Sequence, residues 1–252
     1  MKRRIALLAG AGLFFYLLFL ALTLPASAIF RWVLPANGNI AIVAPQGTPW
    51  SGEARALVVD GAALGRVSWS IHFWPLFLGR LDYDLHVHGT ATDLTGEAVI
   101  KPGGAIALQN VDGQLDLATL LPWFGLPAAS AGGRVQLAID RLILDHNRPT
   151  ALDGRITLDH VQALWPQPMP LGGYVAIFTT GDKGIRASAR DTGGPIRLNG
   201  NLSVDGSGRY QASGTLAART GADANLKQAL RFLGTTDTAG TTHFRYSGSL
   251  KL

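Results

Sequence analysis

Residues 5–24, IALLAGAGLFFYLLFLALTL, form an uncharged apolar run as long as a helix that crosses a bilayer. Backbone polar groups inside hydrocarbon must be satisfied within the segment, so the run is expected to be helical. Lys2, Arg3 and Arg4 precede it, and no acidic residue occurs before Glu53, so the positive-inside rule predicts a cytoplasmic N-terminus. The residues assigned to this membrane anchor include Ile5, Leu8, Phe14, Leu20 and Leu24.

The triplet Ala26-Ser27-Ala28 offers an alternative, because signal peptidase cleaves after such small residues. A cleaved signal usually has an apolar core of about 7 to 15 residues, and this run is longer. The length therefore favours a retained anchor. The predicted organisation is a cytoplasmic stub and transmembrane anchor at residues 1–30, followed by an exported domain at residues 31–252.

The composition limits what the exported domain can be. The net charge is +5, of which the three basic residues at the start contribute three, leaving +2 for the rest of the chain. This near-neutral balance gives no reason to expect nucleic-acid binding. Cysteine is absent, so disulfides and thiolate metal sites are excluded, and stability must come from a hydrophobic core.

Alternation of apolar and polar residues predicts that the exported domain is mainly β. It is evident in residues 81–87, 196–204 and 209–219 and in the C-terminal residues 244–250, and turn-like sequences separate these runs. Period-two patterning of this kind is typical of half-buried antiparallel strands. Residues 39–44 could form a first strand. From Thr48 onward we expect a series of short strands.

A degenerate repeat places a glycine on the apolar phase of several of these strands. It occurs at residues 111–117, 152–158 and 198–204, with a shorter copy at 212–216. A missing side chain lets a strand bend or lets a neighbour pack closely. We therefore expect a strongly curved antiparallel sheet with a concave apolar side, although ordinary core glycines at crowded contacts would give the same pattern. Candidate groove-lining residues are Trp69, Phe73, Gly113, Gly154, Gly200 and Gly214.

Two segments interrupt the strand pattern. Residues 117–125 predict a short helical turn ended by Pro122 and Gly125. Residues 222–233 predict a helix that Asp223 caps and Gly234 ends, and that covers part of the sheet. Near residue 70, Trp69, Ile71 and Phe73 alternate before Trp74-Pro75 ends the strand. This aromatic segment is interpreted as core, with a partner-binding surface as the alternative.

A search for catalytic chemistry finds no nucleophile elbow, P-loop, dinucleotide fingerprint or zinc-protease motif. Asp82, Asp84, His86 and His88 share one face of a predicted strand, and imidazoles two residues apart can share a metal. A solvated polar face explains this pattern equally well and is the favoured interpretation. We therefore expect no catalytic residue, no metal site, no cofactor and no enzyme activity.

Several ordered segments together resemble a known family. They are residues 47–54 (GTPWSGEA), 65–69 (GRVSW), 75–81 (PLFLGRL), 198–202 (LNGNL), 205–210 (DGSGRY) and 230–234 (LRFLG). With the N-terminal apolar run, this set resembles the type II secretion system protein N family over nearly the whole chain, and least in residues 125–195. The resemblance implies a single-pass inner-membrane protein of Gram-negative bacteria with a periplasmic domain, which works with other secretion subunits in exporting folded proteins across the outer membrane.

A wider similarity to AsmA-like periplasmic proteins raises a second hypothesis. It implies a lipid-binding or lipid-transfer module whose curved sheet offers an apolar groove to lipid. The two hypotheses differ in partner, since the first needs other secretion subunits and the second needs lipid. A metal-dependent enzyme at residues 82–88 is a third and weaker alternative.

Overall fold

The structure, a computed structural model, describes residues 40–76, 80–100, 105–145, 148–164 and 167–249, together with Gly12, Tyr16, Phe19 and residues 23–27. The described part is dominated by one sheet of fourteen strands. The strands of the first half are β1 Ile40–Gly47, β2 Ser51–Val59, β3 Ala62–His72, β4 Leu81–His88, β5 Thr92–Ile100, β6 Ile106–Asp116 and β7 Ala131–Asp145. Those of the second half are β8 Arg148–Ala163, β9 Met169–Gly181, β10 Gly184–Gly193, β11 Ile196–Val204, β12 Arg209–Ala218, β13 Thr235–Thr236 and β14 Thr241–Ser249.

Each strand from β1 to β11 pairs antiparallel with the next along the chain. β12 then pairs with β14, and β13 pairs with the other side of β14. Neighbours in sequence are thus neighbours in space, as expected when short turns join alternating strands. The predicted runs are confirmed at residues 81–87, 196–204, 209–219 and at the C-terminus, where β4, β11, β12 and β14 lie. The first strand suggested for residues 39–44 corresponds to the start of β1.

Among the described residues from β1 to β14, three short α-helices interrupt the strands: α1 Phe73–Leu76, α2 Leu117–Leu120 and α3 Ala224–Arg231. A 3-10 turn continues α2 over Leu121–Phe124 and ends at Gly125, whose φ of 71° is left-handed, so the predicted turn at 117–125 is confirmed. The predicted C-terminal helix and its N-cap are also confirmed, but the helix ends at Arg231 and does not extend to Gly234. Its N-cap is Asp223, whose carboxylate accepts a hydrogen bond from the Asn225 backbone N–H at 2.7 Å.

Two features of the sheet differ from the sequence-based expectation. β7 and β8 have 15 and 16 residues and are not short strands. The sheet is also not strongly curled, which corrects the prediction of strong curvature. The physical reason lies in the glycines, which relieve close approaches between adjacent strands. A Cβ at Gly154 would fall 2.5 Å from the carbonyl oxygen of Ala138, beside a register shift between β7 and β8.

The buried side chains form separate clusters along the sheet. The N-terminal cluster contains Ala54, Leu64, Val67, Trp69 and Val87, and Ala26 packs into it with none of its surface exposed. The C-terminal cluster joins Ile196 on β11 to Leu226 and Leu230 of α3. Burying a Leu, Ile or Val side chain contributes about 1.5–3 kcal/mol, so α3 is held mainly by its two leucines.

The chain before β1 is described only in part. Ile5, Leu8, Phe14 and Leu20 of the predicted anchor lie outside the described residues, whereas Leu24 is described and half-buried. Gly12, Tyr16, Phe19 and Thr23 have helical backbone, and the Thr23 hydroxyl donates to the Phe19 carbonyl oxygen at 2.8 Å. Within the described residues, no helix has the length and apolar character that crossing a bilayer requires.

Candidate functional surfaces

The aromatic segment predicted near residue 70 divides between core and surface. Trp69 and Ile71 are buried on one face of β3, and the Trp69 indole N–H donates to the Thr48 carbonyl oxygen at 3.0 Å. Phe73 was expected to continue the alternation, but the backbone turns into α1 there and leaves its side chain 60% exposed. The core interpretation therefore holds for Trp69 and Ile71 and is wrong for Phe73.

The four glycines proposed to line a groove lie on four different strands, β6, β8, β11 and β12. Gly113 and Gly154 have φ values of 143° and 146°, where side chains are strained. A Cβ at Gly113 would collide with the Asp93 carbonyl oxygen on β5. Gly113 and Gly154 thus make room for the backbone of the neighbouring strand.

Gly200 and Gly214 pair with each other across β11 and β12, and Phe244 on β14 pairs with Gly214. The Phe244 ring extends over both glycines, since its Cζ atom would lie 2.8 Å from a Cβ at 214 and 3.5 Å from one at 200. An aromatic ring that covers a cross-strand glycine stabilises the sheet by filling the space that the missing side chain leaves.

Exposed apolar side chains gather beside Phe244 at the end of the sheet. We call Phe232, Leu233 and Tyr246 the C-terminal aromatic surface; they are 82%, 45% and 50% exposed. The rings of Phe244 and Tyr246 stack with centroids 5.9 Å apart, and the Tyr246 hydroxyl donates to the Leu233 carbonyl oxygen at 2.6 Å. This bond ties the chain after α3 to β14. An open hollow of about 830 Å³ lies between them.

Such a surface suits a protein partner. Aromatic side chains bury a large area when they are covered and lose little conformational entropy, which is why they dominate binding interfaces. The hydrogen bond from Tyr246 already fixes the ring, so covering it costs less ordering. Sequence reasoning missed this surface, because Leu230-Arg-Phe-Leu233 reads as the end of an amphipathic helix. In the structure α3 ends at Arg231, and Phe232 points away from the core.

On the polar face of the first half of the sheet, β4 carries two carboxylates followed by two histidines, at every second position. Asp82 accepts a hydrogen bond from Arg80 at 2.9 Å, and Asp84 lies 3.0 Å from His72 on β3. The four residues Asp82, Asp84, His86 and His88 do share one strand face, as predicted. They do not form a single cluster, because Arg80 and His72 engage the two carboxylates.

His86 and His88 instead meet Asp93, which lies on β5 directly opposite His88. We call these three residues the His–Asp cluster. Asp93 Oδ1 is 3.1 Å from His86 Nε2 and 3.7 Å from His88 Nδ1. No local sequence pattern identified Asp93 as a member of this cluster, because its position depends on how β4 and β5 align.

The electrostatics of the His–Asp cluster favour an ionised carboxylate. The hydrogen bond with His86 is the main cause that lowers the pKa of the Asp93 carboxyl below its ordinary value. All three side chains are exposed to solvent. Arg66 lies opposite His88 on β3, and its guanidinium approaches Glu53 at 3.8 Å. The same side of the sheet contains Gln114, opposite Asp93 on β6.

Comparisons with known proteins give a consistent result over almost the entire sheet. The family model described as "Type II secretion system (T2SS), protein N" matches residues 38–245. A curated "Type II secretion system protein N" of Vibrio cholerae serotype O1 is 26% identical over 222 residues, which cover 86% of this chain and 88% of the relative. A protein of the same name from Aeromonas hydrophila is 27% identical over 259 aligned residues, covering 99% of this chain and 100% of the relative. No solved structure matches.

Proposed function

The chain belongs to the type II secretion system protein N family, and from this premise we propose that it is a non-enzymatic accessory component of that secretion system, held in the inner membrane. Its task would be to contact other secretion subunits during export of folded proteins across the outer membrane. The match over residues 38–245 and the relatives' names support this role.

The structural observation that carries the proposal is the C-terminal aromatic surface. Phe232 is 82% exposed, directly after a helix that packs on the core through Leu226 and Leu230. Large exposed apolar side chains on a rigid support commonly mark binding sites for other proteins. We therefore assign Phe232, Leu233 and Tyr246 to contact with another secretion subunit.

The inner-membrane position rests on the sequence of residues 5–24 and on one packing contact. Ala26 is fully buried in the N-terminal cluster against β2, β3 and β4. Cleavage after Ala28 would remove this contact from the folded domain. Packing of Ala26 therefore supports a retained anchor and a periplasmic domain seated close to the membrane.

A secretion assay tests the role. The gene is deleted in its own host, and the export of a type II substrate is measured with plasmids that encode the wild type or Phe232→Ala/Leu233→Ala. We expect the deletion to reduce secretion and the double variant to restore it poorly. Phe73→Ala is the matched control, because this ring is also exposed but lies on the other half of the sheet.

Immunoblots of the membrane fraction show whether each variant accumulates normally. Unchanged secretion in the deletion strain would contradict the proposed role. Full restoration by the double variant, or an equal defect with Phe73→Ala, would contradict the assignment of the C-terminal aromatic surface.

The placement in the membrane has its own test. We expect N-terminal sequencing of the purified protein to start at or near Met1, and the protein to resist carbonate extraction. Leu13→Arg should weaken insertion by about 2.5–3.5 kcal/mol, the translocon-based cost of an arginine at a helix centre. A mature start at Ile29 would show that the anchor is removed.

A further inference from the structure

Two imidazoles and one carboxylate converge on the polar face of the first half of the sheet, in the His–Asp cluster. The side-chain ligand atoms of His86, His88 and Asp93 all lie within 4.8 Å of one another. The backbone explains this convergence. His86 and His88 are two residues apart on β4 and so share a face, and Asp93 is the register partner of His88 on β5.

The supporting strands hold this arrangement without help from a bound ion. A tight turn joins β4 to β5, with the Gly89 N–H donating to the Thr92 carbonyl oxygen at 2.7 Å. β3 and β6 then flank the pair on both sides. The three exposed side chains therefore lie on strands that have a neighbour on each side, and not on a loop. This support limits the rearrangement that metal binding needs.

We propose that His86, His88 and Asp93 bind a divalent transition metal, with Zn²⁺ as the representative ion. Imidazole nitrogen and carboxylate oxygen are ligands that Zn²⁺ accepts, at about 2.0–2.2 Å. Ligand atoms in a tetrahedral site of that size are roughly 3.4 Å apart. The distances of 3.1 and 3.7 Å from Asp93 to the two histidines bracket this value. All three ligand atoms lie within 4.8 Å of one another, so side-chain rotations would have to bring them to tetrahedral spacing.

The chemistry of the three ligands selects the class of ion. Two neutral imidazoles favour zinc and its first-row neighbours over Mg²⁺ and Ca²⁺, which prefer oxygen ligands. All three side chains face solvent, and three protein ligands leave at least one coordination position for water. The metal would also link β4 to β5 across the turn at Gly89.

Metal binding needs neutral imidazoles, because a metal and a proton compete for the same ring nitrogen. The charged groups that face the cluster are Arg66 on β3, Asp84 on β4, and Asp116, Arg134 and His160, which line a shared hollow with His88. Asp84 is engaged by His72 at 3.0 Å.

The test is isothermal titration of the full chain with ZnCl₂, in detergent and with every affinity-tag histidine removed. We expect one Zn²⁺ per chain for the wild type. His86→Ala/His88→Ala should abolish binding, and Asp93→Asn, which keeps the side chain's shape, should weaken it at least tenfold. Circular dichroism checks that both variants remain folded, and these exposed positions are expected to tolerate the changes.

His72→Ala is the matched control, since it removes a histidine that also contacts a carboxylate but lies outside the cluster. It should bind Zn²⁺ as the wild type does. A specific site should be occupied at a Zn²⁺ concentration of roughly 100 µM. If the wild-type chain binds no Zn²⁺ at that concentration, the proposal is overturned. Wild-type binding by His86→Ala/His88→Ala, or an equal loss in His72→Ala, would also overturn it.

Discussion

The ring of Phe244 lies over Gly214, its register partner on β12, so closely that a methyl group at position 214 would meet the Phe244 Cζ atom at 2.8 Å. The ring also reaches Gly200 on β11. Phe244 in turn stacks on Tyr246 of the C-terminal aromatic surface. Two glycines of the sequence repeat therefore make room for the ring that supports the proposed partner-binding surface.

Gly214→Ala should destabilise the fold, because the added methyl group would press on Phe244 and on the backbone at Gly200. Inserting a methyl group into a packed site costs about 1–3 kcal/mol. For a domain of this size each kcal/mol lowers the melting temperature by about 2–4 °C, which a thermal unfolding scan measures. Gly206→Ala is the control, since nothing lies within 4 Å of its Cβ position. Equal melting temperatures for the two variants would contradict the packing described.

Asp223→Ala should loosen α3 by removing its N-cap. The carboxylate accepts a hydrogen bond from the Asn225 backbone N–H at 2.7 Å, and losing such a cap costs about 1 kcal/mol. Urea unfolding of the full chain measures the change in the free energy of unfolding. Asp223→Asn keeps an acceptor oxygen and should cost clearly less. If Asp223→Asn and Asp223→Ala lower the free energy of unfolding equally, the capping hydrogen bond does not stabilise the helix.

Asp205 should titrate at unusually low pH. The pKa of the Asp205 carboxyl is lowered from 3.8 to about 2, chiefly by the hydrogen bond that the Ser207 hydroxyl donates to it. Backbone N–H groups of Ser207 and Arg209 lower this pKa further. A lowered folded-state pKa stabilises the fold above about pH 4, and this contribution is lost as the pH falls from about 4 to 2.

Carbon-detected NMR titration of the full chain measures this pKa. Ser207→Ala should raise it toward the ordinary value. The pKa of Asp237, which the Thr241 backbone N–H chiefly lowers, should stay unchanged and serves as the internal control. An Asp205 pKa near 3.8 in the wild type would contradict the hydrogen bonding of this turn.

Arg219→Leu should destabilise the fold, because it removes an ion pair that links Arg219, directly after β12, to Asp191 on β10. The Arg219 guanidinium lies 2.5 Å from the carboxylate of Asp191, whose side chain is only 8% exposed. Losing a hydrogen bond to a charged group costs about 1.5–3 kcal/mol. The double variant Asp191→Asn/Arg219→Leu should be less destabilised than the sum of the single variants, because no buried charge remains unpaired. Strictly additive losses in urea unfolding would show that the pair is not coupled.

Strand positions were predictable wherever one face of the sheet is buried. Alternation at residues 81–87 located β4, and the capping aspartate and spaced leucines located α3. These signals are local, since each depends on a few neighbouring residues. Phe73 broke the pattern because the chain turns into α1 there, just before Pro75, and the residue leaves the core face.

The candidate sites depended on information that no local pattern contains. Asp93 meets His86 and His88 only through the register of β4 and β5, and a shift of one residue would place its carboxylate on the other face. Glycine on the apolar phase suggested curvature, but close approach of neighbouring strands explains it equally well in sequence. The contacts of Gly113 and Gly154 with the backbone of adjacent strands favour close approach over curvature as the explanation.

Photocrosslinking from position 232 in intact cells of the native host tests the central claim most directly. A photoreactive amino acid replaces Phe232 in the full chain, and mass spectrometry identifies the crosslinked proteins. The same substitution at Asp182, exposed in the turn between β9 and β10, is the control. The account predicts crosslinks to another type II secretion subunit from position 232 and none from 182. Absence of any secretion subunit from position 232, or equal capture from both positions, would contradict it.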